Sequence, residues 1–390
     1  MADFVKIGVI GCGNMGGSHV FSAFELPNTK LAAVCDIDQA KLDRIRPDIK
    51  EGVQLFTNTE DFFAQADVEA VIISVPHYDH VPLAIEALRH GKHILVEKPI
   101  SVDKKAAMEL LAEAEKYPEL VKCLMFCQRT IPAHEKIKKI IDDGDLGQLK
   151  RINWIVTDWY RSQYYYDSGD WRASWRGEGG GVLLNQCPHQ LDLLQWFFGM
   201  PQKVHAWASL GKYHDIEVED DVSAILQYAS GATGVFVAST GEAPGTNRLE
   251  IVGTRGKLVF EDGKINFTRN EVPDDEYSKT SVNGFSKPDV WNISIPCDLP
   301  PKFNQHRNII RNFADVILNG GELIAPMAEG IRSLELGNAM LMSGLTGETV
   351  ELPMDENRYR GILENLIKTS RYQKKSGVSG SDDSFSKSFI

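Results

Sequence analysis

Short apolar runs alternate with stretches whose apolar residues recur every three or four positions through the first 127 residues. The runs are VKIGVIG, LAAVCD, AVIISVP, HILVE and VKCLMFC; HVPLAIEALRHG and DKKAAMELLAEAEKY lie between them. Continuous apolar runs predict strands buried on both faces, and the longer spacing predicts amphipathic helices. Strands and helices in alternation predict an α/β domain, a doubly wound parallel sheet covered on both sides. The helical AHEKIKKIIDDGDLG leads out of it.

After about residue 148 the period changes. LKRINWIVTDWY, KVHAWASLG, DVSAILQYAS, ATGVFVAST, RLEIVGTRGKLVFEDGKINF and VWNISI predict longer strands, with GTRG and EDGK as hairpin signals. One helical piece, PHQLDLLQWFFG, interrupts them, and the chain turns helical again from about 303 to 345. The pattern divides the chain into an α/β domain over residues 1–127, an α+β domain with an open, mostly antiparallel sheet over 128–372, and a polar tail over 373–390. The tail has almost nothing to bury and is predicted to be disordered.

A length of 390 residues suits two full cores, and 43% hydrophobic with 25% charged content is that of a soluble globular protein. The net charge of −12 argues against nucleic acid and against an anionic membrane surface as partners. No apolar run approaches the ~20 residues that span a bilayer, and the opening FVKIGVIG is a strand rather than an export signal. The six cysteines are scattered, without disulfide or zinc spacing, so reduced thiols and a cytoplasmic location are expected, with no metal.

The first strand runs into Gly11-x-Gly13-x-x-Gly16, with Asn14 and Met15 opening the helix that follows. Glycines allow a tight turn and close approach, and a helix N-terminus offers N–H donors to a pyrophosphate. Asp36, at the end of the second strand and twenty residues past Gly16, is placed for the ribose hydroxyls of NAD and would repel a ribose phosphate. A second constellation lies in DWRASWRGEGGGVLLNQCPHQLDLLQWFFG, residues 170–199. Gly179, Gly180 and Gly181 permit a close backbone approach; Pro188 suits a first helical turn, which places His189 near the N-terminus and Asp192 one turn on. Lys98 and Pro99 follow Glu97 at the end of HILVE.

Together the glycine motif, the EKP tripeptide (Glu97, Lys98, Pro99) and GGGVLLNQCPHQLD resemble the glucose-fructose oxidoreductase, inositol dehydrogenase and MocA family over nearly the whole chain. The resemblance implies an N-terminal Rossmann domain, NAD as cofactor, and a second domain that binds substrate and buries its open sheet in a homo-oligomer. It implies that Lys98 approaches cofactor and substrate and that His189 handles the substrate hydroxyl. The family's aspartate is Asn185 here, and an amide cannot accept a proton as a carboxylate does. His189 is therefore the expected general base, titrating near neutrality, with Lys98 orienting the hydroxyl.

The same resemblance places Ser74, Pro76, His80 and Glu97 along the nicotinamide side, although His80 also reads as a helix-start residue. Gln128 and Arg129 face the cleft or form a surface pair. Arg172 and Asp192 are candidates for substrate contact. Tyr160, Tyr164, Tyr165, Tyr166, Trp171 and Trp175 form an aromatic cluster, in which Tyr164 and Trp171 are the expected sugar-stacking residues, with core or subunit packing as the alternative. A cis peptide between Lys98 and Pro99 is expected. The reading is hydride transfer at a secondary hydroxyl of a sugar, cyclitol or glycoside, with ketone formation at C3 of a glucosyl unit inside that class. The rivals are a hydrolase or lyase that oxidises the sugar transiently with bound NAD, and a sugar or dinucleotide sensor.

Overall fold

The computed structural model of the protein describes residues 3–373, so the tail expected to be disordered lies outside the described residues apart from residue 373. The first sheet contains β1 (Val5–Ile10), β2 (Thr29–Cys35), β3 (Gln54–Phe56), β4 (Ala70–Ile73), β5 (His93–Val96) and β6 (Lys122–Leu124). Its order is β3-β2-β1-β4-β5-β6 and every pairing is parallel. β1, β4 and β5 are nearly or wholly buried because helices cover both faces, which is why they read as unbroken apolar runs. Edge strand β3 left no such signal, since Gln54 and Leu55 are exposed and Phe56 is half-buried. The strand order reverses between β1 and β4, and this switch point opens the crevice where ligands of such sheets collect.

The second sheet contains β7 (Leu149–Val156), β8 (Lys203–Leu210), β9 (Glu219–Gln227), β10 (Thr233–Ser239), β11 (Asn247–Gly253), β12 (Gly256–Glu261), β13 (Lys264–Asn270), β14 (Val290–Ile295) and β15 (Val350–Glu351). Its order is β14-β13-β12-β11-β7-β10-β9-β8-β15; β7 and β10 pair in parallel, and the other neighbours are antiparallel. Trp154, Phe236, Ala224 and Leu226 are buried on one face, where Trp154 stacks 6.4 Å from Phe197 of the helix Pro188–Phe198. On the opposite face Ile155, Trp207, Ile225 and Val235 are exposed, and Ile225 stands directly across from Val235.

The later helices return to the first domain. Asn28 donates to the Arg311 carbonyl at 2.9 Å and to Asp315 at 2.7 Å, fastening the helix Gln305–Asn319 to the turn after the helix Asn14–Glu25. The Leu124 N–H donates to the Ala325 carbonyl at 3.0 Å, and Lys104 pairs with Glu335 at 2.7 Å. Beyond the carboxyl end of β4, the Tyr78 hydroxyl also donates to the Trp175 carbonyl at 2.7 Å, so the second domain is fastened there as well. The helix Glu356–Thr369 and the two-residue β15 were not anticipated from the sequence.

Candidate active site

The glycine loop has the form a pyrophosphate requires. Gly11 has φ +92°, and a Cβ there would overlap the Ser74 carbonyl; a Cβ at Gly16 would overlap the Gly11 carbonyl. A Cβ at Gly13 would meet nothing within 4 Å. Gly11 and Gly16 therefore close the turn against β4, while Gly13 leaves its outer side open. Gly13 caps the helix Asn14–Glu25, whose first-turn N–H groups have no partner within the helix. Ser74 donates its N–H to the Ile10 carbonyl at 2.8 Å and ties the ends of β1 and β4 together. Asp36 braces this loop: one oxygen accepts the Cys12 N–H at 2.7 Å, the other accepts the Asp38 N–H at 2.9 Å and lies 3.3 Å from Lys41 Nζ. A carboxylate has about four acceptor sites, so one remains for a ribose hydroxyl. These residues fit a dinucleotide.

Lys98 follows β5 with the expected cis bond to Pro99. Its Nζ donates to the Asn185 carbonyl at 2.7 Å, across the cleft between the domains. Glu97 is buried and accepts from its neighbours: Oε2 takes the Lys98 N–H at 3.0 Å, and Oε1 lies 2.7 Å from His19 Nε2. Burial opposes its ionisation, but the bond with and charge of His19, helped by Lys98, prevail and hold Glu97 at about 2. Burial pushes the Lys98 ammonium below its ordinary range, with Glu97 pulling the other way.

His189 lies in the first turn of its helix and is 6% exposed. Nε2 is 3.9 Å from Cys127 Sγ, and Nδ1 has no partner among the described residues. Burial, reinforced by the charge of Lys98, lowers its pKa to about 3. The expected ionisation near neutrality is thus not that of His189, which is a neutral imidazole at pH 7. Asn185 serves Lys98 through its main chain, because its carboxamide nitrogen is engaged by the buried Glu178 and lies 3.3 Å from the Tyr165 hydroxyl. The Tyr165 oxygen also receives Arg172 at 2.6 Å and Gln186 at 3.1 Å. Arg172 is sandwiched 4.4 Å over the Tyr165 ring and 4.5 Å over the Trp171 ring, and Trp171 meets His77 edge-on at 5.0 Å.

Three further expectations are corrected. Asp192 does not face the cleft: it is 1% exposed and grips Arg129 with both oxygens, at 2.6 and 2.8 Å. Arg129 is accordingly neither a cleft residue nor a surface one; it is buried and also reaches Glu329 at 2.6 Å. His80 opens the helix His80–Arg89 and does not line the cofactor crevice. It is 1% exposed, and its ring nitrogens lie 2.7 Å from the Pro99 carbonyl and 2.9 Å from that of Val75. Tyr164 is 46% exposed, and its neighbour Tyr165 occupies the place by Asn185. Pro76 and Gln128 are half-buried, and Gln128 accepts from Gln190 at 3.4 Å, beside His189. Glu178 was missed in the sequence; an acid set among glycines in RGEGGG was the available signal.

Two family models match this chain: "Oxidoreductase family, NAD-binding Rossmann fold" over residues 5–123, and "GFO/IDH/MocA C-terminal domain" over 134–259. The chain belongs to the GFO/IDH/MocA oxidoreductase family. It is similar to the levoglucosan dehydrogenase of Pseudarthrobacter phenanthrenivorans, 24% identical over 90% of this chain and 98% of that one. It is 29% identical to the inositol 2-dehydrogenase of Rubrobacter xylanophilus over 50% of this chain and only 53% of that relative. The WlbA dehydrogenase from Chromobactrium violaceum, solved with NADH and UDP-GlcNAcA, superposes with a TM-score of 0.77 at 26% identity, covering 91% of this chain and 98% of its own. NAD is the cofactor of this GFO/IDH/MocA member. Among the described residues no helix is long and apolar enough to cross a membrane.

Proposed function

We propose that this GFO/IDH/MocA protein is an NAD-dependent dehydrogenase acting at a secondary hydroxyl of a sugar, cyclitol or glycoside. The observation that carries the reading is Lys98, held at 2.7 Å on the Asn185 carbonyl above the carboxyl end of β5, with His189 on the same turn-and-helix unit. The glycine loop (Gly11, Gly13, Asn14, Met15, Gly16) with Asp36, Ser74, Pro76, Glu97 and Gln128 would hold the dinucleotide. Bound NAD supplies the hydride acceptor. An ammonium has three donors, and the Asn185 carbonyl takes one, so Lys98 can also hold a substrate oxygen. Its lowered pKa raises the share of free amine, which can take the hydroxyl proton at Nζ and return it in the reverse direction. Neutral His189 offers Nδ1 to the same oxygen as a positioning hydrogen bond. Arg172, Tyr165 and Trp171 form a wall against which a sugar ring can stack. Ketone formation at C3 of a glucosyl unit is one member of this class.

A second copy of the chain would cover the exposed face of Ile155, Trp207, Ile225 and Val235, which supports a homo-oligomer. Light scattering after size exclusion tests this, and a clean monomer would count against it. For the activity, reduced-nicotinamide absorbance is recorded across a panel of polyols, free sugars and glycosides. Lys98→Met should lower turnover by about a hundredfold or more while NAD still binds; near-normal turnover in that variant overturns the assignment.

A further inference from the structure

Glu219, the first residue of β9, takes no part in the proposed chemistry, yet it is fully buried. Its main-chain carbonyl accepts the Val182 N–H at 2.9 Å, and its side-chain Oε1 accepts the Leu183 N–H at 3.1 Å. A Cβ at Gly181 would overlap the Glu219 carbonyl oxygen, and a Cβ at Gly180 would stand 3.7 Å from Oε1. The triple-glycine turn is therefore seated directly on this residue. The turn runs on into Asn185, whose N–H donates to the Gly181 carbonyl at 2.9 Å and whose own carbonyl receives Lys98. Glu219 thus holds Val182 and Leu183 of the same short turn whose Asn185 carbonyl receives the lysine.

The second carboxyl oxygen, Oε2, has no hydrogen-bond partner among the described residues. Glu219 borders a cavity of about 10 Å³, no larger than one water needs, walled by Gly179, Leu183, Leu184, Asn338, Leu341 and Tyr359. The ionisable groups facing Glu219 are Glu178 on the loop before the turn, Cys187 beyond it and Tyr359 on the helix Glu356–Thr369. The helix Gly330–Thr346 adds uncharged Asn338. Burial raises the Glu219 pKa to about 7; the charge of Glu178 adds to this, and the N–H groups of the turn hold it down. The acid form buries no charge there, although its hydroxyl lacks an acceptor, whereas an anion must draw in water or move.

We propose that Glu219 is a positioning residue for Lys98: as the neutral acid it seats the 180–185 turn, and as the carboxylate it loosens the Asn185 carbonyl from the lysine. Turnover then falls with rising pH because the turn shifts, while NAD binding at the distant glycine loop is unaffected. The effect on turnover rests on the dehydrogenase reading; the effect on Lys98 itself does not.

The test uses the full chain with NAD. Trace acylation of Lys98 by acetic anhydride, read by peptide mass spectrometry from pH 5.5 to 9, reports the lysine without any substrate. The parent should show a step in Lys98 reactivity near pH 7, beyond the lysine's own ionisation. Glu219→Gln keeps an acceptor for the Leu183 N–H and cannot ionise, so that step should vanish. With a substrate that turns over, the ratio of the parent's kcat to that of Glu219→Gln should fall about tenfold above pH 7, with an unchanged Kd for NAD. The same step, or the same falling limb, in Glu219→Gln overturns the proposal. If no substrate turns over but the acylation step is lost in the variant, the dehydrogenase reading fails and Glu219's role stands. Should Glu219→Gln not fold, hydrogen exchange of the parent decides. Protection of the 178–187 segment, corrected for intrinsic rate, should drop about tenfold between pH 6 and pH 8, and unchanged protection overturns the proposal.

Discussion

Removing the Asp192 carboxylate should cost stability rather than chemistry. Asp192 and Arg129 each have side chains 1% exposed and are joined by two hydrogen bonds, at 2.6 and 2.8 Å. Burial works against the guanidinium charge, but the bonds and charges of Asp192 and Glu329 outweigh it and raise the Arg129 pKa. Breaking one member of such a pair leaves the other buried and uncompensated, at about 3–5 kcal/mol. Glu329 stays 2.6 Å from Arg129 in an Asp192→Ala variant and is itself 32% exposed, so part of the charge remains balanced. The lower end, about 3 kcal/mol, is the expected loss. At ~2.1 cal/mol/K per residue over 390 residues, this lowers Tm by about 4 °C. Differential scanning calorimetry with NAD present measures it, and a kcat determination well below the new Tm accompanies it. The kcat should stay within a few-fold of the parent, because Asp192 points away from Lys98 toward Arg129. An unchanged Tm together with a hundredfold loss of kcat would refute the burial argument and return Asp192 to the cleft.

Glu97 should set part of the acid stability. Its folded pKa of about 2 lies below the ordinary 4.5, so its contribution, about 3 kcal/mol, is fully present above pH ~4.5 and is lost as pH falls toward 2; Glu97→Gln should flatten that part of the acid-unfolding curve. NAD should be preferred to NADP in kcat/KM, and Asp36→Ala should narrow the ratio by about tenfold or more while weakening NAD binding, since it also removes the brace on Cys12 N–H; equal use of both cofactors by the parent would contradict this. With His189 at about 3, the pH profile of kcat/KM above pH 5.5 should show the same ionisations in the parent and in His189→Gln, at a lower plateau in the variant; loss of a neutral-range ionisation in His189→Gln would show that bound substrate and NAD reset its pKa.

The period of the apolar residues determined the two sheets and nearly every strand in them. Buried strands such as Ala70–Ile73 and half-buried ones such as Thr233–Ser239 must bury their side chains in those patterns whatever the details of packing. It could not reveal Gln54–Phe56, an exposed edge strand, or Val350–Glu351, an edge strand of two residues too short to show a period. The glycine loop, Asp36 and the EKP lysine were legible because each depends on local backbone geometry, written in consecutive residues. What only the tertiary structure decided was the fate of polar side chains whose partners are far away in the chain. Asp192 and His189 share one helix, but Arg129, 63 residues earlier, claims the first, and the second lies beside Cys127, 62 residues earlier. His80 is claimed by the Pro99 carbonyl, the Asn185 carbonyl by Lys98, 87 residues earlier, and Glu219 by a turn 36 residues before it. Spacing in a sequence states which side chains share a helix face or strand end; which of them meets an ion partner and which meets the cleft is set by what the fold packs against that face.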